Sequence, residues 1–130
     1  MTVVPQAIDR APRTTMTITA DTTPDGPVLV LAGRLDVATV ADVRDALQRA
    51  IESGEGPAVV DLAGVEVADA TGLGVLVGAH RRAGRAGRTL VLRHVPPRLA
   101  RLLTATRLHR ILQVEDVLPE SLRPAVPIAV

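Results

Sequence analysis

Apolar and polar positions along this chain follow two periods. From Thr15 to Ala20, Met16, Ile18 and Ala20 alternate with threonines, the period of two expected of a half-exposed strand. Pro24-Asp25-Gly26 supplies turn chemistry before the apolar run Val28 to Ala32, so these two strands are expected to form a hairpin. After Thr39 the period lengthens. Val40, Val43, Leu47 and Ile51 recur at spacings of three and four, with Asp42, Arg44, Asp45, Arg49 and Glu52 on the opposite face. This predicts an amphipathic helix capped by Thr39 and ended by Gly54 and Gly56. Ala58 to Leu62 has the length of a buried strand, and Leu73, Leu76, Val77, His80 and Ala83 mark one face of a second helix that begins near Thr71. Gly84 and Gly87 are expected to stop that helix. Thr89 to Arg93 reads as a strand, Pro96-Pro97 as the opening of a third helix with Leu99, Leu102 and Leu103 inward, and Gln113-Val114 as a short last strand.

The predicted order is β-β-α-β-α-β-α-β. Strands joined through helices need crossover connections, so the fold class is α/β, with a mixed sheet of four to five strands packed with three to four α-helices. All ten glycines lie between Gly26 and Gly87, whereas Pro5, Pro12, Pro119, Pro124 and Pro127 lie towards the two ends. One folded domain is therefore expected over residues 14–118, with flexible tails at 1–13 and 119–130. At 130 residues such a domain buries roughly two thirds of the surface its unfolded chain exposes.

Composition narrows the function. With 47% hydrophobic residues and no Phe, Trp or Tyr, the core must be built from Val, Leu, Ile and Ala, and single-stranded nucleic acid has no aromatic platform on which to stack. Cysteine is absent too, which removes disulfides, thiolate zinc sites and cysteine catalysis. No apolar run approaches the ~18 residues of a membrane span, and Pro5, Asp9 and Pro12 interrupt any leader-like stretch, so the expectation is a cytoplasmic protein without a membrane partner. The net charge of +1 conceals an asymmetry: residues 1–69 hold five Arg against eleven Asp and Glu, and residues 70–114 hold nine Arg and no acid.

The densest chemistry lies in Val67-Ala68-Asp69-Ala70-Thr71-Gly72-Leu73-Gly74-Val75. A hydroxyl at a helix start, preceded by an acid and followed by two glycines, stands beside uncovered N–H groups at the positive end of the helix dipole, where a phosphate is welcome. On residue types alone the same pattern also describes a plain helix cap, with Thr71 as N-cap and Asp69 as a second capping residue.

The chain from Val28 to Val114 resembles the STAS domain, named for sulfate transporters and anti-sigma factor antagonists, and most closely the free-standing bacterial antagonists. Gly33-Arg34-Leu35-Asp36-Val37-Ala38-Thr39 is similar to the family's Gly-Glu-Leu-Asp segment, and Val59-Val60-Asp61-Leu62 to its central strand. Asp69-Ala70-Thr71-Gly72-Leu73-Gly74 is similar to the Asp-Ser-Ser/Thr-Gly-Leu-Gly signature, and Leu108-His109-Arg110-Ile111-Leu112 to the segment before the last strand. The resemblance implies a partner-switching antagonist. When unphosphorylated it would bind an anti-sigma factor that is also a Ser/Thr kinase of the histidine-kinase-like ATPase fold. Phosphorylation would end that binding, and a phosphatase would restore it. By position the phosphoacceptor is Thr71, and the partner surface comprises Arg34, Asp36, Thr39, Asp69, Ala70, Thr71, Gly72 and Leu73. Because strand ends that feed helices gather on one edge of an open α/β sheet, Asp36 and Thr71 are expected to share a patch. Ala70 stands where the family has its first Ser, Arg34 where it has an acid, and Arg107 where Gly is usual in a left-handed backbone. The alternative is a STAS module that does not switch and instead scaffolds a signalling assembly or binds a small ligand.

Other readings of the residues are weaker. Gly72 to Gly78 has the spacing Gly-x-Gly-x-x-x-Gly, and no acid occurs between Asp69 and Glu115 to bind a ribose, unlike a dinucleotide fingerprint. Gly74 and Gly78 are expected instead to pack the helix closely on the sheet. Arg81, Arg82, Arg85 and Arg88 read as a solvated cationic face near a helix C-terminus, with an acidic partner or phosphate backbone as functional alternatives, and the acidic first half argues against a general DNA-binding field. His80, His94 and His109 lack the spacing and carboxylate company of a metal site and are expected to be structural. His80 is the only base in sequence near Thr71 and Asp69, but it lies nine residues away, about 13 Å along a helix, so neither an enzyme nor a cofactor is expected.

Overall fold

The computed structural model describes residues 16–67 and 69–119. Strand β1 (Met16–Thr23) turns through Asp25 into β2 (Gly26–Leu35), antiparallel to it, so the hairpin forms as predicted. Helix α1 (Val40–Glu52), strand β3 (Ala58–Val67), helix α2 (Ala70–Arg85), strand β4 (Leu90–Arg93), helix α3 (Pro97–Ala105), a 3₁₀ turn at Leu108–Arg110 and strand β5 (Gln113–Val114) follow. The sheet order is β1-β2-β3-β4-β5, with every pair after the hairpin parallel. This is the predicted single α/β domain with a five-stranded mixed sheet. The prefix and suffix outside the described residues include almost all of both predicted tails.

Parallel neighbours added in one direction through right-handed crossovers place all three helices on one face of the sheet. Leu29, Leu31 and Leu35 of β2, Val60 and Leu62 of β3, and Leu90 and Leu92 of β4 meet Val43, Leu47 and Ile51 of α1, Leu76 and Ala79 of α2, and Leu99 and Leu103 of α3 in one core. Strand β3 runs five residues beyond the predicted Leu62. Its inward residues change parity between Leu62 and Val65, where the register against β2 slips from Val30↔Asp61 to Ala32↔Gly64. That bulge needs a glycine, because a Cβ on Gly64 would stand 2.9 Å from the Ala32 Cβ. The consequence for the site is direct: Leu35 pairs with Val67, so β2 and β3 end side by side, and the turns leading into α1 and α2 are neighbours.

Three expectations about the helices need correction. First, α2 buries Gly72, Val75, Leu76, Ala79 and Ala83, a face rotated by about one residue from the one read in the sequence; Leu73, Val77 and His80 are only half-buried. Second, Gly72 is the glycine that brings the helix down, since a Cβ there would lie 3.0 Å from Val67 and 3.1 Å from Leu35, whereas at Gly74 and Gly78 it would meet nothing within 4 Å. Third, Gly84 lies inside α2. Its end is a Schellman motif, with Gly87 left-handed at φ 74° and Arg88 N–H donating to the Ala83 carbonyl at 2.8 Å.

Arg88 also leaves the cationic face assigned to it. Its guanidinium donates to the carbonyls of Ala50, Ile51, Glu55, Gly56 and Pro57, closing the C-terminus of α1 and holding the loop into β3. The end of α1 is therefore satisfied by an arginine from 31 to 38 residues away along the chain as well as by Ser53, and not by Gly54 and Gly56 alone. At the far edge of the sheet Arg93 binds Glu115, and this hydrogen bond holds the Glu115 carboxyl below its usual range.

Candidate functional site

Two turns built from similar residues stand at the shared end of β2 and β3. In the first, Asp36 Oδ1 accepts from Ala38 N at 2.9 Å and from Thr39 N at 3.3 Å, an Asx-type turn that guides the chain into α1. Thr39 occupies the N-cap position but does not cap the helix with its side chain. Its hydroxyl donates to the Arg34 carbonyl at 2.8 Å and accepts from Asp36 N at 3.1 Å, and the residue is 3% exposed. Thr39 thus seals the turn from inside, which removes its side chain from the partner-facing set predicted from the sequence.

In the second turn Asp69, not Thr71, is the N-cap. Its carboxylate accepts from Thr71 N at 2.9 Å, in extended backbone at φ −159°, and Ala70 opens the helix. Thr71 is the second helical residue, half-exposed, and its hydroxyl has no hydrogen-bond partner among the described residues. Gly72 is buried against Leu35 and Val67, so it shapes the patch from beneath without presenting a surface. The exposed rim is formed by Arg34, Val37, Asp69 and Ala70, with Asp36, Thr71 and Leu73 half-exposed.

Arg34, an unusual cation in its place, pairs with Asp36 at 3.3 Å and approaches Glu66 at 3.8 Å. The cation therefore partly neutralises the acid expected to face a partner. Beside it Val37 is 71% exposed, the most exposed large apolar side chain among the described residues. The sequence signal for Val37 is slight: an apolar residue directly after Asp36 in the turn between β2 and α1.

Thr71 also lines a hollow of about 300 Å³ between α1 and α2, together with Arg44, Gly74, Val75, Gly78, Ala79 and Arg82. Arg44 belongs to the face of α1 that the sequence predicts to be polar. The hollow exists because Gly74 and Gly78 present no side chain towards α1.

The other candidates lie elsewhere. Strand β4 ends opposite Asp61, six residues short of Val67, so His94 is far from the Asp36–Thr71 patch. His94 does have carboxylate company: Nδ1 lies 2.9 Å from Asp61 and Nε2 3.7 Å from Asp116. Asp116 also accepts from the His94 N–H at 2.8 Å, pinning a left-handed backbone at φ 55°. No three His, Cys, Asp or Glu side chains among the described residues, these included, are placed so that they could hold a metal ion together. Arg107 is left-handed at φ 63°, as the family pattern implied, directly after the α3 C-cap Thr106.

Comparison with known proteins agrees with this architecture. The family model described as Mlab, STAS domain, matches residues 18–116, and the chain belongs to the STAS family. An anti-sigma-B factor antagonist of Listeria monocytogenes is 36% identical over 90 residues, 68% of this chain and 78% of that protein. The crystal structure of an anti-sigma factor antagonist from Mycobacterium paratuberculosis superposes with a TM-score of 0.67 at 19% identity, covering 78% of this chain and 86% of that one. The Bacillus cell fate determinant SpoIIAA in its phosphorylated form superposes with a TM-score of 0.56 at 18% identity, over 77% and 92% of the two chains. No helix of the described residues is long and apolar enough to cross a membrane.

Proposed function

We propose that this chain is an anti-sigma factor antagonist that acts by partner switching, in the cytoplasm, through the patch around Asp36, Val37 and Thr71. When unphosphorylated it binds an anti-sigma factor that is also a Ser/Thr kinase of the histidine-kinase-like ATPase fold, freeing the sigma factor for transcription. Phosphorylation of Thr71 ends that binding, and a phosphatase restores it. The observation that carries this reading is the free hydroxyl of Thr71 at the rim of the patch. The hydroxyl of Thr39 is consumed by two backbone bonds, and those of Thr104 and Thr106 donate back to helix carbonyls. Support comes also from the relatives named as anti-sigma-B factor antagonists and from a protein of the same fold known in a phosphorylated form.

The physical chemistry of the turn fits a switch that leaves the fold intact. A phosphate brings nearly two negative charges to the first turn of α2, where the helix dipole favours them. The partner is then excluded directly, by the bulk of the phosphate and by repulsion of any carboxylate facing it. The chain itself performs no catalysis in this reading, and it contacts neither nucleic acid nor membrane. The test is incubation with the candidate anti-sigma kinase and ATP, followed by mass spectrometry of the peptide that contains Thr71. Modification at Thr71 alone is expected; phosphate on Thr39 or Thr89 with Thr71 unmodified would overturn the assignment. Stable binding to a signalling assembly with no modification would favour a non-switching scaffold.

A further inference from the structure

We infer that Arg44 is an internal receptor for the phosphoryl group on Thr71, so that modification adds an ionic bridge between α1 and α2. The inference rests on phosphorylation at Thr71 and deepens it. Both residues line the same interhelical hollow, and among the described residues Arg44 makes no hydrogen bond or ion pair. The floor is open at Gly74 and Gly78, where a Cβ would meet nothing within 4 Å, so the guanidinium can turn towards Thr71 without displacing a packed side chain.

The helix geometry brings the two ends together. Helices α1 and α2 both start from the shared end of β2 and β3 and run back along the sheet, hence parallel to one another. Arg44 is the fifth residue of α1 and Thr71 the second of α2. Helical side chains lean towards the N-terminus, which carries the Arg44 guanidinium back by about the three-residue difference. An arginine facing a phosphate forms two parallel charge-assisted hydrogen bonds, stronger than neutral ones. Arg82 lines the other end of the hollow, eleven residues along α2, about 16 Å from Thr71 by helical rise and beyond the reach of its phosphate. The charged neighbours on the near side are Asp69, which caps Thr71 N, and the Arg34–Asp36 pair. Their influence is the same in every variant compared below.

The test needs no kinase. Phosphothreonine is installed at position 71 by genetic encoding, and the phosphate is titrated by ³¹P nuclear magnetic resonance in the parent, in Arg44→Gln and in Arg82→Gln. An opposite charge at contact favours the dianion, so the second phosphate pKa is expected to rise by about half a unit or more in Arg44→Gln and to stay at the parent value in Arg82→Gln. Phosphorylation is also expected to raise the melting temperature more in the parent than in Arg44→Gln, while the unmodified proteins melt alike. Coincident titration curves for the parent and Arg44→Gln would overturn the inference. Equal displacement by both arginine variants would also overturn it, leaving only a diffuse positive field. Because the phosphothreonine is encoded and not made by a kinase, a kinase that ignores Thr71 would refute the proposed function and leave this result readable.

Discussion

The turn into α1 and the turn into α2 use the same two residue types, an aspartate followed within three positions by a threonine, and arrive at opposite ends. Asp36 and Thr39 commit themselves to their own turn: one carboxylate oxygen accepts from two N–H groups while the other faces Arg34, and the hydroxyl binds a carbonyl and an N–H. Asp69 and Thr71 divide the work. The carboxylate alone caps the helix, and the hydroxyl is left over. The spacing decides this. With two residues between them, the Thr39 side chain folds back under the strand end at Arg34; with one residue between them, Thr71 is already in helical backbone and its side chain stands away from the turn. One threonine is therefore built into its turn, and the other keeps a hydroxyl with no partner among the described residues.

The largest effect expected is on partner binding. Phosphate at Thr71 should weaken affinity by about 30-fold or more, above ~2 kcal/mol, with circular dichroism unchanged. Calorimetric titration of both forms checks it, and equal affinities, or weaker binding accompanied by unfolding, would break the contrast between the turns. Next in size is a pair of matched substitutions. Thr39→Val strands a buried carbonyl and N–H and should cost about 2 kcal/mol, whereas Thr71→Val, which removes a hydroxyl without a partner among the described residues, should cost less than about 0.5 kcal/mol. Urea unfolding of the two variants measures the difference directly; similar losses would mean that Thr71 is also structural. This reverses the expectation from sequence, in which Thr71 itself was a cap.

A third turn, after α3, provides a control outside the patch. Arg107 holds a left-handed backbone that a Cβ strains, so Arg107→Gly should stabilise the fold by about 0.5–1 kcal/mol and leave partner binding unchanged. A drop in midpoint would show that the arginine side chain contributes more than its backbone costs. The smallest effect concerns the far edge. Arg93 depresses the Glu115 pKa, so this pair adds stability that is present above the unfolded carboxylate range and is lost as pH falls through the lower folded value. Glu115→Gln should therefore flatten the acid limb of the stability profile while the patch behaves as in the parent, as melting from pH 7 to pH 3 would reveal.

The strands and helices were legible because apolar runs such as Val28 to Ala32 and periodic sets such as Val43, Leu47 and Ile51 report burial locally. Three things were not. The buried face of α2 was misread because periodicity weights large side chains, and the residues touching the sheet include Gly72 and Ala79, which carry almost no apolar signal. The extension of β3 past Leu62 was hidden by Ala63-Gly64, where a bulge breaks the alternation that marks a strand. Arg88 and Arg44 could not be told apart in sequence from other surface arginines, since the carbonyls that bind one and the hollow beside the other are made by residues about 30 positions distant. The signature turn was found by resemblance to a family, and its division of labour between Asp69 and Thr71 needed coordinates.

The all-aliphatic core has an optical consequence. Leu, Val, Ile and Ala fill the space between sheet and helices, and the whole chain has no Trp, Tyr or Phe. The protein is therefore dark in the near ultraviolet, neither absorbing at the wavelengths used to quantify most proteins nor emitting when excited there. Any fluorophore introduced is read against zero background, even in mixtures with an unlabelled copy of itself. Val37, exposed in the turn that follows β2, where β2 and β3 end side by side, is the place for it. A single tryptophan at this position would be the only aromatic emitter in this chain, with every photon from the unbound protein coming from this turn.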